Sequence, residues 1–207
     1  MKVILASQSP RRKDLLSKIG LKFECISSDF EEFFDEDRDT ADLAEELALG
    51  KAEDVAKTNA DAVVIGGDTL VSFEGRQLGK PKSEDEARKT LRAYSNKACK
   101  VVSSAAVIHR DSDFEAVMSD AATIKFGPIS EQQIDTYLKT GDYKDKGGSF
   151  ALQHPLARTL IEEIKGSEET IIGLPMNKLT PVLENLGVLG KAEKQTNKRL
   201  DDQIPPL

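Results

Sequence analysis

Lys2-Val3-Ile4-Leu5-Ala6-Ser7-Gln8-Ser9-Pro10-Arg11-Arg12-Lys13 decides how this chain is read. Lys2–Leu5 is a short apolar run of the kind that forms a buried strand. Ser9 suits a helix N-cap, and Pro10 suits the first helical position, where a missing N–H costs nothing. Leu15, Leu16 and Ile19 then recur at helical spacing up to Gly20, a natural stop. Two hydroxyls, free backbone N–H groups and two guanidinium groups therefore converge on one helix N-terminus. Either Ser-Pro is an ordinary helix opening with two solvated arginines, or the arginines, which oppose the helix dipole, answer an anion, for which phosphate is the best chemical match.

Outward from this stretch, strand and helix patterns alternate, which predicts an α/β fold. Lys22–Ile26 alternates like a second strand, and 40–57 carries a helical stripe. Ala62–Gly66 reads as a buried strand ending at Gly66-Gly67-Asp68-Thr69, with an extended 70–73 and a turn at Glu74-Gly75. Ser83 to Glu86 and Ser130 to Gln133 are spaced as capping boxes. Runs 100–108, 121–126 and 160–164 read as strands, and 175–186 as the last helix. Residues 1–190 are expected to form one domain. From Lys191 the chain turns polar and charged and is expected to be a flexible tail.

Composition narrows the function. The 207 residues carry a net charge of -7, so there is no basic field for nucleic acid or an anionic membrane, and phosphate recognition must be local. No apolar run approaches the ~18 residues of a membrane span, and the N-terminus lacks a signal-peptide pattern. Cys25 and Cys99 match no ligand or redox spacing and read as reduced thiols of a cytoplasmic protein.

Four other stretches could carry chemistry. Asp68 follows two glycines that let backbone approach a ligand closely. It could orient a water, hold a divalent cation, or simply cap its own turn. Lys80, in Gly79-Lys80-Pro81-Lys82, is a point charge for phosphate or a solvated loop lysine. Gln153 closes the stretch from Asp142 with a donor and an acceptor side by side, which suits the amide edge of a base; a loop leading into a strand accounts for the same residues. The acidic run Asp29–Asp37 is a solvated loop or, through Glu31 or Glu32, a source of oxygen ligands for a hard cation. His109 and His154 have no cysteine or second histidine nearby, which argues against a transition-metal site.

Taken in order, Ser7-Gln8-Ser9-Pro10-Arg11-Arg12, Gly67-Asp68-Thr69, Gly79-Lys80-Pro81 and Asp145–Gln153, with Gly173-Leu174-Pro175 near the end, resemble the motifs of the Maf family from about Met1 to Leu186. The resemblance implies an elongated, two-lobed, ITPase-like α/β fold with a mixed sheet and a central cleft. It also implies a Mg2+- or Mn2+-dependent nucleoside triphosphate pyrophosphatase, and often a homodimer.

Carried over by residue, it implies phosphate binding by Ser7, Arg11 and Arg12, with Lys146 also on the substrate. Asp68 would activate the water or help hold the metal. Lys51 and Lys80 would neutralise charge on the phosphates. The family's acidic metal position falls on Glu31 or Glu32, with Glu32 favoured. Arg12, Thr69 and Gln153 fit the places that distinguish the dTTP/UTP subfamily from the sister subfamily acting on 7-methyl-GTP. A nucleotide-binding regulator of cell division with little turnover is the alternative of a different class. Gly147 stands where the family usually has alanine, and His154 where it has glycine, so His154 is expected to bear on the base pocket.

Overall fold

A computed structural model of the chain describes residues 1–33, 35 and 38–190. Phe34, the acidic Glu36 and Asp37, and the tail from 191 lie outside the described residues. The elements in chain order are β1 (Lys2–Leu5), α1 (Pro10–Lys18), β2 (Glu24–Cys25), α2 (Thr40–Ala56), β3 (Ala62–Phe73), β4 (Arg76–Leu78), α3 (Glu84–Tyr94), β5 (Ala98–His109), β6 (Phe114–Phe126), α4 (Glu131–Leu138), α5 (Pro155–Arg158), β7 (Ile161–Lys165), α6 (Glu168–Ile172) and α7 (Met176–Asn185). They build one open, mixed sheet in the order β2-β1-β3-β5-β6-β7, with β4 on β3. No helix among the described residues is long and apolar enough to cross a membrane.

The opening reads as expected. Val3, Ile4 and Leu5 are buried, and Ser9 and Pro10 start α1. Ser9, however, makes no side-chain cap bond; the hydroxyl that turns inward is Ser7, which accepts from the Ser9 N–H at 3.2 Å. Of the two capping boxes, Ser130/Gln133 is reciprocal. Ser83 caps Glu86, but the Glu86 carboxylate reaches the Lys82 N–H instead.

The main correction concerns β3. The glycines at 66 and 67 were expected to end the strand, yet it continues to Phe73. The reason is tertiary: β5 pairs with it antiparallel from Val64 to Ser72, which holds the glycines extended. Likewise β6 begins at Phe114 rather than 121, because β5 gives it partners from Phe114 to Lys125. β2 shrinks to Glu24–Cys25, the part that pairs with β1. Helices α5 and α6 lacked a long apolar period and were not anticipated.

This pairing creates the site. On one edge of β3, β1 covers Ala62–Ile65 and β4 covers Val71–Phe73. Between them, among the described residues, Gly66–Leu70 has no strand neighbour on that edge, so the sheet carries a gap. The two faces of β3 then diverge, because side chains alternate along a strand. Val64 packs with Ala48, Ala52 and Val55 of α2; Ile65 packs with Leu15, Leu16, Leu174 and Leu179. Beyond the gap, Val71 and Phe73 belong to a third core with Leu91, Tyr94, Ile124 and Phe126.

Candidate active site

A cavity of about 640 Å³ opens at the gap in the sheet. On its first side lies α2. Gly66 has no room for a side chain: a Cβ there would sit 2.2 Å from the Ala48 carbonyl oxygen and 2.8 Å from the Ala52 nitrogen. The helix can therefore lie directly on the strand, as close helix–strand packing over glycine allows. One turn along, the same contact sets Lys51 over Asp68, two residues on from Gly66 and on the same face. Their ion pair is 2.6 Å long, and both side chains are 9% exposed. Lys51 Nζ also donates to Glu32 Oε1 at 2.7 Å.

Glu32 is carried there by a loop seated on α2. Asp54 accepts from the Ser28 hydroxyl and the Asp29 N–H, and the Phe30 ring lies over Gly50, where a Cβ would meet it at 2.4 Å. Burial opposes ionisation of Glu32, but the Lys51 hydrogen bond and the charges of Lys51, Lys80 and Arg12 outweigh it. Its carboxyl is held below the usual carboxylate range.

On the other face of β3, the Arg12 side chain is spread over three acceptors. Nε donates to the Gly173 carbonyl at 3.1 Å, and Nη1 and Nη2 donate to Ser7 Oγ and Thr69 Oγ1, each at 3.3 Å. Gly67 leaves room for this arrangement: a Cβ there would lie 3.3 Å from Arg12 Nε and 3.0 Å from the Leu174 side chain, tight enough that both would have to give by a few tenths of an ångström. Burial lowers the Arg12 pKa, with Asp68 and Glu32 opposing and Arg11 adding to the fall; a guanidinium nonetheless stays charged at neutral pH. Thr69 Oγ1 lies 2.8 Å from Ser103 Oγ on the facing strand β5.

The rim is cationic. Arg11, Lys80 and Lys146 line the opening, with Gln153 beside them. Arg11 Nη1 and the Lys146 ammonium both contact Asp145. Deeper in, the wall is apolar and includes Val71, Val101, Ile124 and Phe150. The cavity thus has a charged mouth for anions and an apolar floor for a flat, uncharged group.

Most of the residues singled out in the sequence meet here, and three do not. Ser7 is off the cavity wall and holds Arg12. Glu31 is exposed and outside the lining, so Glu32 is the carboxylate that reaches the site. His154 also stays out of the lining, contrary to the expectation for the base pocket. Its Nδ1 caps α5 by accepting from the Leu156 N–H at 3.2 Å, and its ring packs edge-on to Tyr137.

Ser103 escaped the sequence reading, and Asp145 entered it only as the start of a motif, without its contacts to Arg11 and Lys146. The one signal for Ser103 was a hydroxyl pair, Ser103-Ser104, in the middle of an apolar strand.

A family model described as Maf-like protein matches residues 2–186. The chain belongs to the Maf family. It is 41% identical over 190 residues to a dTTP/UTP pyrophosphatase of Clostridium novyi (strain NT), covering 91% of this chain and 99% of that one. A protein of the same name from Halalkalibacterium halodurans is 36% identical over 182 residues, 88% of this chain and 94% of its own. One from Alkaliphilus oremlandii is 39% identical over 184 residues, 88% and 95%.

The oxygen donors suit the divalent cation expected of a Maf pyrophosphatase. Among the described residues no three His, Cys, Asp or Glu side chains gather as a metal cage. Glu32 and Asp68 nevertheless both stand in the cavity lining beside Lys51, whose ammonium contacts the two carboxylates. Magnesium is commonly held by one or two carboxylates together with waters and substrate phosphates, so this pair fits.

Proposed function

We propose that the protein is a nucleoside triphosphate pyrophosphatase that hydrolyses dTTP and UTP, and modified pyrimidine triphosphates, between the α- and β-phosphates. The products are a nucleoside monophosphate and pyrophosphate. The carrying observation is the arrangement of Lys51 and Asp68 inside a cavity that runs from a cationic mouth to an apolar floor. The names and close similarity of the Maf relatives support the same reading.

In this mechanism Arg11, Lys80 and Lys146 take the phosphate chain at the mouth, and Lys51 faces the reacting phosphorus. Asp68 orients a water and accepts its proton as the water oxygen bonds to the α-phosphorus. The bond from that phosphorus to the bridging oxygen breaks, and pyrophosphate leaves with the electron pair. Lys51 and Lys80 stabilise the charge that develops on the phosphoryl oxygens and the leaving group. Glu32 and Asp68 would hold a divalent cation, Mg2+ or Mn2+, which when bound screens phosphate charge and stabilises the leaving pyrophosphate. The base rests against the apolar wall, with Thr69 and Gln153 meeting its polar edge. The reading includes a cytoplasmic location and a homodimer, as composition and the family resemblance respectively imply.

A nucleotide panel assayed for pyrophosphate under metal titration tests this. Pyrophosphate release from dTTP and UTP is expected. Orthophosphate as the product, preference for 7-methyl-GTP, or no turnover at all would each refute it.

A further inference from the structure

Thr69 Oγ1 stands in a row of hydrogen bonds whose direction is forced. Ser103 Oγ lies 2.6 Å from the Thr170 carbonyl oxygen. A carbonyl only accepts, so the single Ser103 proton is spent there. The contact of 2.8 Å between Thr69 and Ser103 must then be donated by Thr69. The guanidinium of Arg12, which only donates, reaches Thr69 from the other side at 3.3 Å. The other acceptor open to the Thr69 proton, the Gly173 carbonyl, is farther at 3.4 Å. The row therefore runs Arg12 to Thr69 to Ser103 to Thr170, and Thr69 turns only lone-pair density toward the cavity.

Ser103 is fully buried and outside the cavity lining. Thr69 faces it across the β3–β5 ladder, next to the apolar wall of Val71 and Val101. A flat base lying on that wall would have its edge within the reach of Thr69, which lines the same cavity.

We infer that Ser103 is a specificity-positioning residue: by taking the Thr69 proton it makes Thr69 an acceptor, matched to a base with a ring imide N–H. Uracil and thymine carry that donor at N3, whereas cytosine has a lone pair there. A site built to pair with one partner rejects the other because a buried polar group is left facing its like. Without Ser103, Thr69 can turn its proton toward the base and accept either edge. The inference rests on the dTTP/UTP reading.

The test is the ratio of kcat/KM for UTP to that for CTP, measured in wild type, Ser103→Ala, Thr69→Val and the double variant. Wild type is expected to favour UTP. Ser103→Ala should cut the ratio about tenfold, chiefly through KM, and should change it no further once Thr69 is valine. An unchanged ratio in Ser103→Ala, or an equal fall with and without Thr69, overturns the inference. If the alanine variant does not fold, Ser103→Cys, close in size and a weak hydrogen-bonding group, is used in the same cycle. Wild-type enzyme inert toward UTP refutes the underlying reading instead, before any variant is compared.

Discussion

Lys51 on α2 and Asp68 on β3 form a buried ion pair at 2.6 Å because Gly66 lets the helix rest on the strand. Any side chain at Gly66 would meet the Ala48 carbonyl and the Ala52 nitrogen. These are backbone atoms, which cannot swing aside. Gly66→Ala is therefore expected to cost about 1–3 kcal/mol, the usual range for overpacking. It should also lower kcat by pulling Lys51 off Asp68. Thermal denaturation and steady-state kinetics check the two effects.

Asp68→Asn removes the proton acceptor without removing bulk, and Lys51 keeps Glu32 as a counter-charge. Turnover should fall about 100- to 10,000-fold, the range for losing a general base, while the melting temperature stays close to wild type. An active Asp68→Asn enzyme would remove Asp68 from its role.

Lys51→Met has the opposite profile in stability. It leaves the buried Asp68 carboxylate without its cation, a loss of about 3–5 kcal/mol for a broken buried pair. Adding Asp68→Asn should recover part of that loss. Denaturant unfolding of the two single variants and the double variant measures the coupling.

The seat of the Glu32 loop is tested at Gly50. A methyl group there would press on the Phe30 ring and shift the loop that brings Glu32 to Lys51. Gly50→Ala should raise the Mg2+ concentration needed for half-maximal activity about tenfold, as for groups that orient metal ligands. Phe30→Leu in the same chain should restore it. Calorimetric Mg2+ titration gives the matching affinity.

The core beside the cavity predicts alkaline sensitivity. Burial pushes the Cys99 thiol from an ordinary 9.0 up to about 12, and burial also raises the neighbouring Tyr94 phenol well above its ordinary value. Both groups are neutral when protonated and are held that way by folding. Their contribution is complete below the unfolded pKa values and is lost as pH rises toward the folded ones. The unfolding midpoint should thus decline above about pH 9. For the same reason native Cys99 should resist alkylation at pH 8, since the thiolate is the nucleophile. Mass spectrometry after iodoacetamide treatment reads this.

Local signals made much of the fold legible. The apolar run Val3–Leu5, the Ser9-Pro10 opening and the Ser130/Gln133 box act within one turn or one strand, so they survive into the structure, Ser9 holding the N-cap position without its side-chain bond. The length of β3 was not legible. Two glycines and a polar pair look like a turn until β5 is laid alongside them. For the site, residue type pointed to Asp68, Lys80 and Arg12, but not to what each one touches.

The sequence by itself determined the class of fold, the convergence of cations on a helix N-terminus and the family, because these depend on residue order and local chemistry. Only the tertiary structure decided that Asp68 and Thr69 serve opposite faces of one strand, that a gap between β1 and β4 exposes them, and that Glu32, already favoured over Glu31, reaches the site by pairing with Lys51. Those outcomes hang on strand pairing and on the close approach over Gly66, contacts between segments far apart in the chain. Ser103 belongs with them, since its proton is directed by a carbonyl 67 residues away.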